Sequence, residues 1–371
     1  MRYTTYGKSG IKVSKLGFGA MRLPVKKGPD DEKEQVDYDK STELIRKCLD
    51  SGMNFIDTHH GYHSSQSETA IGYATEGIDR SSFIIQTKTS TWRDLAPGET
   101  YRQRLEGGLT RAKTNYFDFY LMHSLNWDTF AKVGEAFMKE AHKAREEGLI
   151  RHIGMSTHDK AENVKKLIDT GMLECMLCQY NLMDLSNEGM IEYAHSKGLG
   201  VSVMGPVAGG RLAAPSEITN YLPAGKSSPA EAALRFVLAN PNVDVAVSGM
   251  STVQQVIENV ATANIKTPLS AKEKVRIQEI VKEKARLAEL YCTGCEYCMP
   301  CPNNVNIARI FELMNWKRIY GIEGKPREYY AGLIKKERDA SRCLECGQCE
   351  PKCPQKIKII AQLKECKEEL S

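Results

Sequence analysis

A parallel (β/α)8 barrel of the TIM type, followed by a small cysteine-rich domain, is the fold class that three observations predict. Through residue 265, eight short β-branched or apolar runs alternate with amphipathic stretches, the count expected for a closed barrel. No GxGxxG turn follows the first run, and a doubly wound open sheet would need fewer strands in this length. Nine of the 12 cysteines fall between residues 292 and 366, outside the repeating pattern. These observations divide the chain into a barrel over 1–270 and a cysteine-rich domain over 271–371.

In chain order, residues 3–13 read as a hairpin turning at Lys8-Ser9-Gly10. The barrel strands are expected at 15–19, 54–58, 83–89, 117–123, 151–156, 176–180, 200–204 and 244–249. Between the first two, residues 24–40 (PVKKGPDDEKEQVDYDK) form a charged surface loop. Helical pieces include 42–50, 100–112, 161–169 and 229–238, the last opened by Pro229 after Ser227-Ser228. Cys175 and Cys178 flank a strand start with an offset that sends them to opposite faces, as core residues. Met172, Met176 and Met183 read as packing or pocket wall, and Trp92 and Trp127 as packing or an aromatic pocket rim.

Hydrophobic residues make up 41% and charged residues 26%, the composition of an ordinary soluble domain rather than of a fibre or a disordered chain. Apolar runs such as Phe236 to Ala239 are far too short to span a bilayer. The N-terminus, MRYTTYGKSG, lacks a secretory core, so the expected compartment is the cytoplasm, with no membrane partner. Net charge is +4, and from residue 271 onward 20 basic residues face 15 acidic ones. Those charges are intermixed rather than striped, which argues against nucleic acid.

In a reduced compartment, clustered cysteines point to metal rather than disulfides. Cys292, Cys295, Cys298 and Cys301 precede Pro302; Cys343, Cys346, Cys349 and Cys353 precede Pro354. Two-residue spacers let successive thiolates curl round one cuboidal cluster. Four-cysteine zinc sites are the rival, but their paired cysteines usually lie farther apart. The two runs resemble the bacterial ferredoxin arrangement, in which the fourth cysteine of each run serves the other cluster. That resemblance implies one [4Fe–4S] cluster on Cys292, Cys295, Cys298 and Cys353, and a second on Cys343, Cys346, Cys349 and Cys301. Helical spacing at Ile307, Ile310, Phe311 and Met314, and again near 329–336, makes the intervening segment α-helical. Cys366 lies on a helical tail as an unligated thiol.

Chemistry in a parallel barrel sits at the C-terminal strand ends. Those ends carry Asp57, with Tyr62 in the following loop, then Lys88, His123, and Ser156-Thr157-His158. A tyrosine is a poor acid or base at neutral pH unless a cation stabilises its phenolate. Lysine can do that, aspartate can hold the lysine, and histidine can orient a carbonyl oxygen. The neighbouring His59, His60 and His63 invite a metal-site reading, but a further carboxylate or thiolate partner is not evident nearby.

The motifs LGFGAMRLP, NFIDTHHGY, IIQTK, YLMHS, IRHIGMSTH, CQYN and IEN resemble the aldo-keto reductase family, in its branch with a C-terminal iron–sulfur extension. The resemblance implies a catalytic tetrad of Asp57, Tyr62, Lys88 and His123, with Tyr62 the general acid/base. It also implies a nicotinamide dinucleotide across the barrel mouth. Ser156 and Gln179 would contact its carboxamide, Met204 and Gly205 would flank its ring, and Glu258 and Asn259 would lie near its adenine. Thr157 stands where many members carry Asn. The segment 249–255 (GMSTVQQ) lacks Lys and Arg, so NADP(H) is not supported by it and NAD(H) is expected over NADP(H). The expected activity is reduction or oxidation of a carbonyl-type small molecule. The clusters would be linked to an external carrier such as ferredoxin or a flavoprotein, or be structural. Two alternatives are a site fed through the clusters without nicotinamide turnover, and a redox-sensing or scaffold barrel without catalysis.

Overall fold

The computed structural model describes the chain except for residues 27–34, 91–98, 183, 209–227, 266–268, 271, 274, 276–278, 280–291, 293–297, 321 and 354–356. Trp92, Met183 and Cys295 therefore lie outside the described residues. One compact unit comprises residues 1–209 and 230–269; the other includes residues 270–371.

The first unit opens with β1 (Tyr3–Thr5) and β2 (Lys12–Ser14), an antiparallel pair joined through a 3-10 turn at Gly7–Ser9. The barrel strands follow: β3 (Leu16–Gly19), β6 (Phe55–Asp57), β7 (Ile84–Ser90), β8 (Phe117–His123), β9 (Ile150–Thr157), β10 (Cys175–Gln179), β11 (Gly200–Met204) and β12 (Val245–Ser248). All eight pair in parallel and close in the order β3, β6, β7, β8, β9, β10, β11, β12. Each lies within a residue or two of its predicted span, because strands buried on both faces read as near-continuous apolar runs. The stretch predicted as a charged loop over 24–40 holds more order than that. β4 (Val25–Lys26) pairs antiparallel with β5 (Gln35–Val36), and a helix has begun by Tyr38.

The surrounding helices are α1 (Tyr38–Asp50), α2 (Gln66–Thr75), α3 (Tyr101–Arg111), α4 (Trp127–Glu146), α5 (Ala161–Asp169), α6 (Glu188–Ser196), α7 (Pro229–Leu238) and α8 (Val253–Asn264). Side-chain caps start several of them. Asp37 accepts from the Lys40 amide at the start of α1, and Asn126 from the Thr129 amide at the start of α4. Thr100 and Gln103 form a reciprocal capping box on α3. Met172 is 48% exposed, so it is surface rather than pocket wall, whereas Met176 is fully buried. Trp127 opens α4, where it stacks on Phe130 at 6.2 Å with the Lys166 ammonium 5.7 Å from its ring, both contacts of a packing kind.

The barrel interior is filled from its N-terminal end. Tyr6, from the hairpin, stands edge-on to Phe55 and Phe119 and donates its hydroxyl proton to Ser202 Oγ at 2.9 Å. Cys175, Leu177, Val245 and Val247 complete this plug. Gly154 gives it room: a Cβ there would run into Cys175 Sγ and stand 2.7 Å from the Cys175 carbonyl oxygen.

In the second unit the described helices are α9 (Ile307–Tyr320), α10 (Gly324–Lys335) and α11 (Ile359–Leu370). Ile310, Phe311, Met314, Tyr330, Leu363 and Cys366 share their core. Cys366 is fully buried, and burial pushes its thiol up to about 12. Among the described residues, no helix is long and apolar enough to cross a membrane.

Substituting Gly154→Ala is expected to cost about 1–3 kcal/mol through overpacking of the β9–β10 pair. A denaturant midpoint equal to that of the parent chain would show that the barrel floor yields freely there.

Candidate active site

Side chains alternate along a strand, so Ile84, Gln86 and Lys88 of β7 share one face, with Lys88 nearest the C-terminal end. Asp57 is the last residue of β6 and lies opposite Gln86 in the register of the two strands. This pairing decides the site. Lys88 Nζ donates to Asp57 Oδ2 at 2.7 Å and to the Thr58 carbonyl at 2.7 Å, and it also hydrogen-bonds the Tyr62 oxygen. Lys88 is 1% exposed and Asp57 4%. The other carboxylate oxygen, Oδ1, accepts from Gln86 Nε2 at 2.7 Å. A carboxylate has no proton to give, so the amide of Gln86 is oriented by chemistry alone.

Burial pushes the Tyr62 phenol above its ordinary value, the nearby Lys88 ammonium pulls it down, and the Asp57 charge raises it again. The net direction is upward. Expecting lysine to bring the phenol down toward neutrality on its own thus left out desolvation, which is the larger effect here. Burial also works against the Lys88 charge, but Asp57 and Tyr62 more than offset it, so the ammonium is retained. The ligand-free site therefore holds a protonated phenol against a charged amine.

His123 ends β8 and sits opposite Ser90 in register, with Ser90 Oγ 3.4 Å from its Nδ1. Between it and Tyr62 stands His59, whose ring centroid lies 3.9 Å from that of His123 and 5.2 Å from that of Tyr62. The structure thus brings Asp57, Tyr62, Lys88 and His123 together at adjoining strand ends. Sequence reasoning passed over two members of this group, His59 and Gln86. Gln86 had a signal, its place two residues before Lys88 on the same strand face. His59 was weighed only as a metal ligand. Its Nδ1 accepts from the Gly61 amide at 3.0 Å, and His63 Nε2 accepts from the Leu23 amide at 3.2 Å.

The loop beyond Tyr62 is bent hard. His63, Ser64 and Ser65 all have left-handed backbones, with φ of 51°, 55° and 72°. Three such non-glycine residues in succession store strain of the kind found at functional sites.

The expected dinucleotide contacts lie at the neighbouring strand ends. Ser156 of β9 is opposite Leu177, and Gln179 of β10 is opposite Met204 of β11. Ser156 Oγ accepts from the Ser124 amide at 2.9 Å, which leaves its proton to give. Gln179 carries both a donor and an acceptor, the pair a carboxamide requires. Its side chain lies against Gly205, whose φ of 64° and close approach to that amide both require glycine. Thr157 is committed elsewhere, donating to the Leu125 carbonyl at 2.8 Å. Asn259 is buried, with its amide 3.3 Å from Ser248 Oγ, while Glu258 is exposed and accepts from Gln254. The segment 249–255 carries no basic residue of its own, yet the side chain of Arg22, which ends the 3-10 helix Ala20–Arg22 after β3, lies against Gly249. Ser251 Oγ donates to the Arg22 carbonyl at 2.8 Å. The fold thus brings the stem of a basic side chain, distant in sequence, beside a segment that has none of its own.

In the second unit, one open cavity is lined by Cys298, Cys301, Cys343, Cys346 and Cys349. The Cys349 thiol lies within electrostatic reach of both Cys343 and Cys301. Cys301, from the first run, therefore converges with the second. Cys292 and Cys353 pack on the same hydrophobic core. The cavity lining contains thiols and no His, Asp or Glu, the donor type an iron–sulfur cluster takes, although among the described residues no three of them converge closely enough to hold a single metal ion.

Residues 291–357 match the 4Fe-4S dicluster domain. L-Galactose dehydrogenase of Arabidopsis thaliana is 29% identical over 279 residues, which span 69% of this chain and 86% of that protein. The NADH-specific methylglyoxal reductase of Escherichia coli is 23% identical over 321 residues, 71% of this chain and 94% of that one. Among solved structures, the holo form of an aldo-keto reductase from Bacillus halodurans superposes with a TM-score of 0.65 at 26% identity, covering 75% of this chain and 96% of that one. The match to the Aldo/keto reductase family runs over residues 15–282, and the chain belongs to that family.

Proposed function

We propose that the barrel interconverts a carbonyl compound and its alcohol at Tyr62, using NAD(H) or NADP(H). The C-terminal domain, in this reading, holds two [4Fe–4S] clusters that exchange electrons with an external carrier such as ferredoxin or a flavoprotein. The observation that carries the reading is Lys88, buried and held between the Asp57 carboxylate and the Tyr62 phenol.

A bound nicotinamide supplies a hydride to the carbonyl carbon. In reduction Tyr62 gives its phenolic proton to the carbonyl oxygen; in oxidation the phenolate takes it back. Lys88 stabilises that phenolate, and Asp57 keeps Lys88 charged in a site where an isolated ammonium would lose its proton. His123 fixes the direction of the carbonyl oxygen, with its Nδ1 turned toward Ser90. Ser156 and Gln179 would hold the carboxamide, with Met204 and Gly205 beside the ring. Arg22 would offer a guanidinium to a dinucleotide phosphate near Gly249.

In the cysteine-rich domain, Cys343, Cys346, Cys349 and Cys301 would hold one cluster, a set supported by the nearness of Cys349 to both Cys343 and Cys301, though Cys298 lines the same cavity. Cys292, Cys295, Cys298 and Cys353 would hold the other. A second reading keeps the same pocket but draws its electrons from the clusters alone. It is favoured by the internal commitments of Thr157 and Asn259, which leave fewer side chains for a dinucleotide.

Tyr62→Phe and Lys88→Met should each lower kcat by roughly 10²–10⁴-fold. Carbonyl reduction by the parent chain should hold through neutral pH and decline only above the ordinary tyrosine value of 10.0, because its acid is the protonated phenol and burial raises it. A decline centred near pH 7 would remove Tyr62 as the acid.

Anaerobically prepared protein should contain about eight iron and eight sulfide per chain, the content of two such clusters. Cys301→Ser should weaken the cluster of the second run, and a change confined to the first-run cluster would refute the crossing. Titration with NADH and NADPH should saturate, and Arg22→Ala should weaken the binding of NADPH more than that of NADH. Absence of saturable binding by either dinucleotide, together with substrate turnover by dithionite-reduced protein, would transfer the assignment to the second reading.

A further inference from the structure

His59 stands among the groups just described, yet the reaction assigns it nothing. It is 4% exposed, two residues beyond Asp57, in ring contact with both Tyr62 and His123. Its Nδ1 accepts the Gly61 amide proton, so in the neutral ring the remaining proton lies on Nε2. Burial, together with His123, Lys88, His60 and Arg104, holds the imidazole neutral, with its pKa pushed down to about 2. Nε2–H is thus a buried donor, and no hydrogen-bond partner meets it among the described residues. An unpaired donor shut away from water is costly, and in a native protein it calls for an explanation. The His59 ring lies 3.9 Å from, and tilted 40° to, the imidazole that would meet the carbonyl oxygen.

We propose that His59 is a specificity-determining residue whose Nε2–H donates to an oxygen on the carbon next to the reacting carbonyl, so that the site favours α-hydroxy carbonyl compounds and vicinal dicarbonyls. The inference rests on the assignment of Tyr62 as the acid/base. Two donors on neighbouring rings, with centroids 3.9 Å apart, match two oxygens on adjacent carbons, whereas a simple aldehyde or ketone satisfies only one of them. Nε2 is closed off from water, with the partly exposed His123 ring leaning on His59 at a tilt of 40°, so access to it requires His123 to turn aside as substrate enters. Sites built to bond a substrate hydroxyl discriminate strongly against the analogue without it, because the protein group is then left unpaired.

The test compares kcat/KM for 2-hydroxypropanal and propanal, which differ by the one oxygen, in the parent chain, His59→Phe and His59→Gln. Phenylalanine keeps a ring against His123 and removes the donor; glutamine keeps an N–H donor and removes the ring. The parent chain is expected to favour 2-hydroxypropanal by at least about tenfold, and the ratio should fall roughly ten- to hundredfold in His59→Phe. Glutamine should restore part of it. A parent chain with no preference, or a His59→Phe ratio equal to the parent's, would overturn the proposal; the second result would leave the imidazole with a packing role alone. Failure of the parent chain to turn over either aldehyde would instead remove the carbonyl reading itself, and the proposal with it.

Discussion

The barrel mouth is organised around one buried ion pair, Lys88 with Asp57. Removing two charges from water is expensive, and the attraction between them compensates only if their remaining hydrogen-bonding capacity is also met. Both conditions hold here. Lys88 Nζ reaches the carboxylate, the Thr58 carbonyl and the Tyr62 oxygen, and the second carboxylate oxygen takes the amide of Gln86. A half-satisfied version of this network would be less stable than an apolar core. The network therefore ties the β6–β7 register, the loop bearing Tyr62 and the protonation of the phenol to one another.

That pair also explains why the phenol belongs to the reaction in its protonated form. Desolvation opposes the phenolate more than the ammonium favours it, so the free site keeps the proton that the proposed reaction would give to a carbonyl oxygen. The strained turn at His63–Ser65 has a place in the same account. It follows the acid directly and holds the chain within reach of Leu23, whose amide bonds His63 Nε2.

The second unit poses a different electronic problem. A nicotinamide moves two electrons together, whereas a [4Fe–4S] cluster moves one. An enzyme using both needs a splitter, or must keep the two couples on separate circuits. The sequence has no recognisable flavin fingerprint, which is why an external carrier enters the proposed function. Helices rather than hairpins separate the two cysteine runs where the chain is described. Their core packs directly against Cys292, Cys298, Cys301 and Cys343, so the helices help to position these thiols.

Much of this was legible from the chain alone, for a definite reason. Barrel strands are buried on both faces, which forces β-branched and apolar runs that periodicity detects, and short-range cysteine spacing is a local property of the backbone. Asp57, Lys88 and His123 could be placed because they fall at or near the C-terminal ends of the expected strands, while their roles came from the family resemblance. Contacts between distant segments carry no local signature. Nothing near 249–255 announces that Arg22 lies against Gly249, more than two hundred residues away in sequence. Nothing in the first cysteine run fixes by itself that Cys301 shares a cavity with Cys343 and Cys349. The balance between burial and charge at Tyr62 was likewise out of reach, because desolvation depends on how the whole chain closes around a group. Sequence determined which side chains the strands present; only the closed barrel decided which of them touch, which stay charged, and which, like His59, are left with a proton and no acceptor.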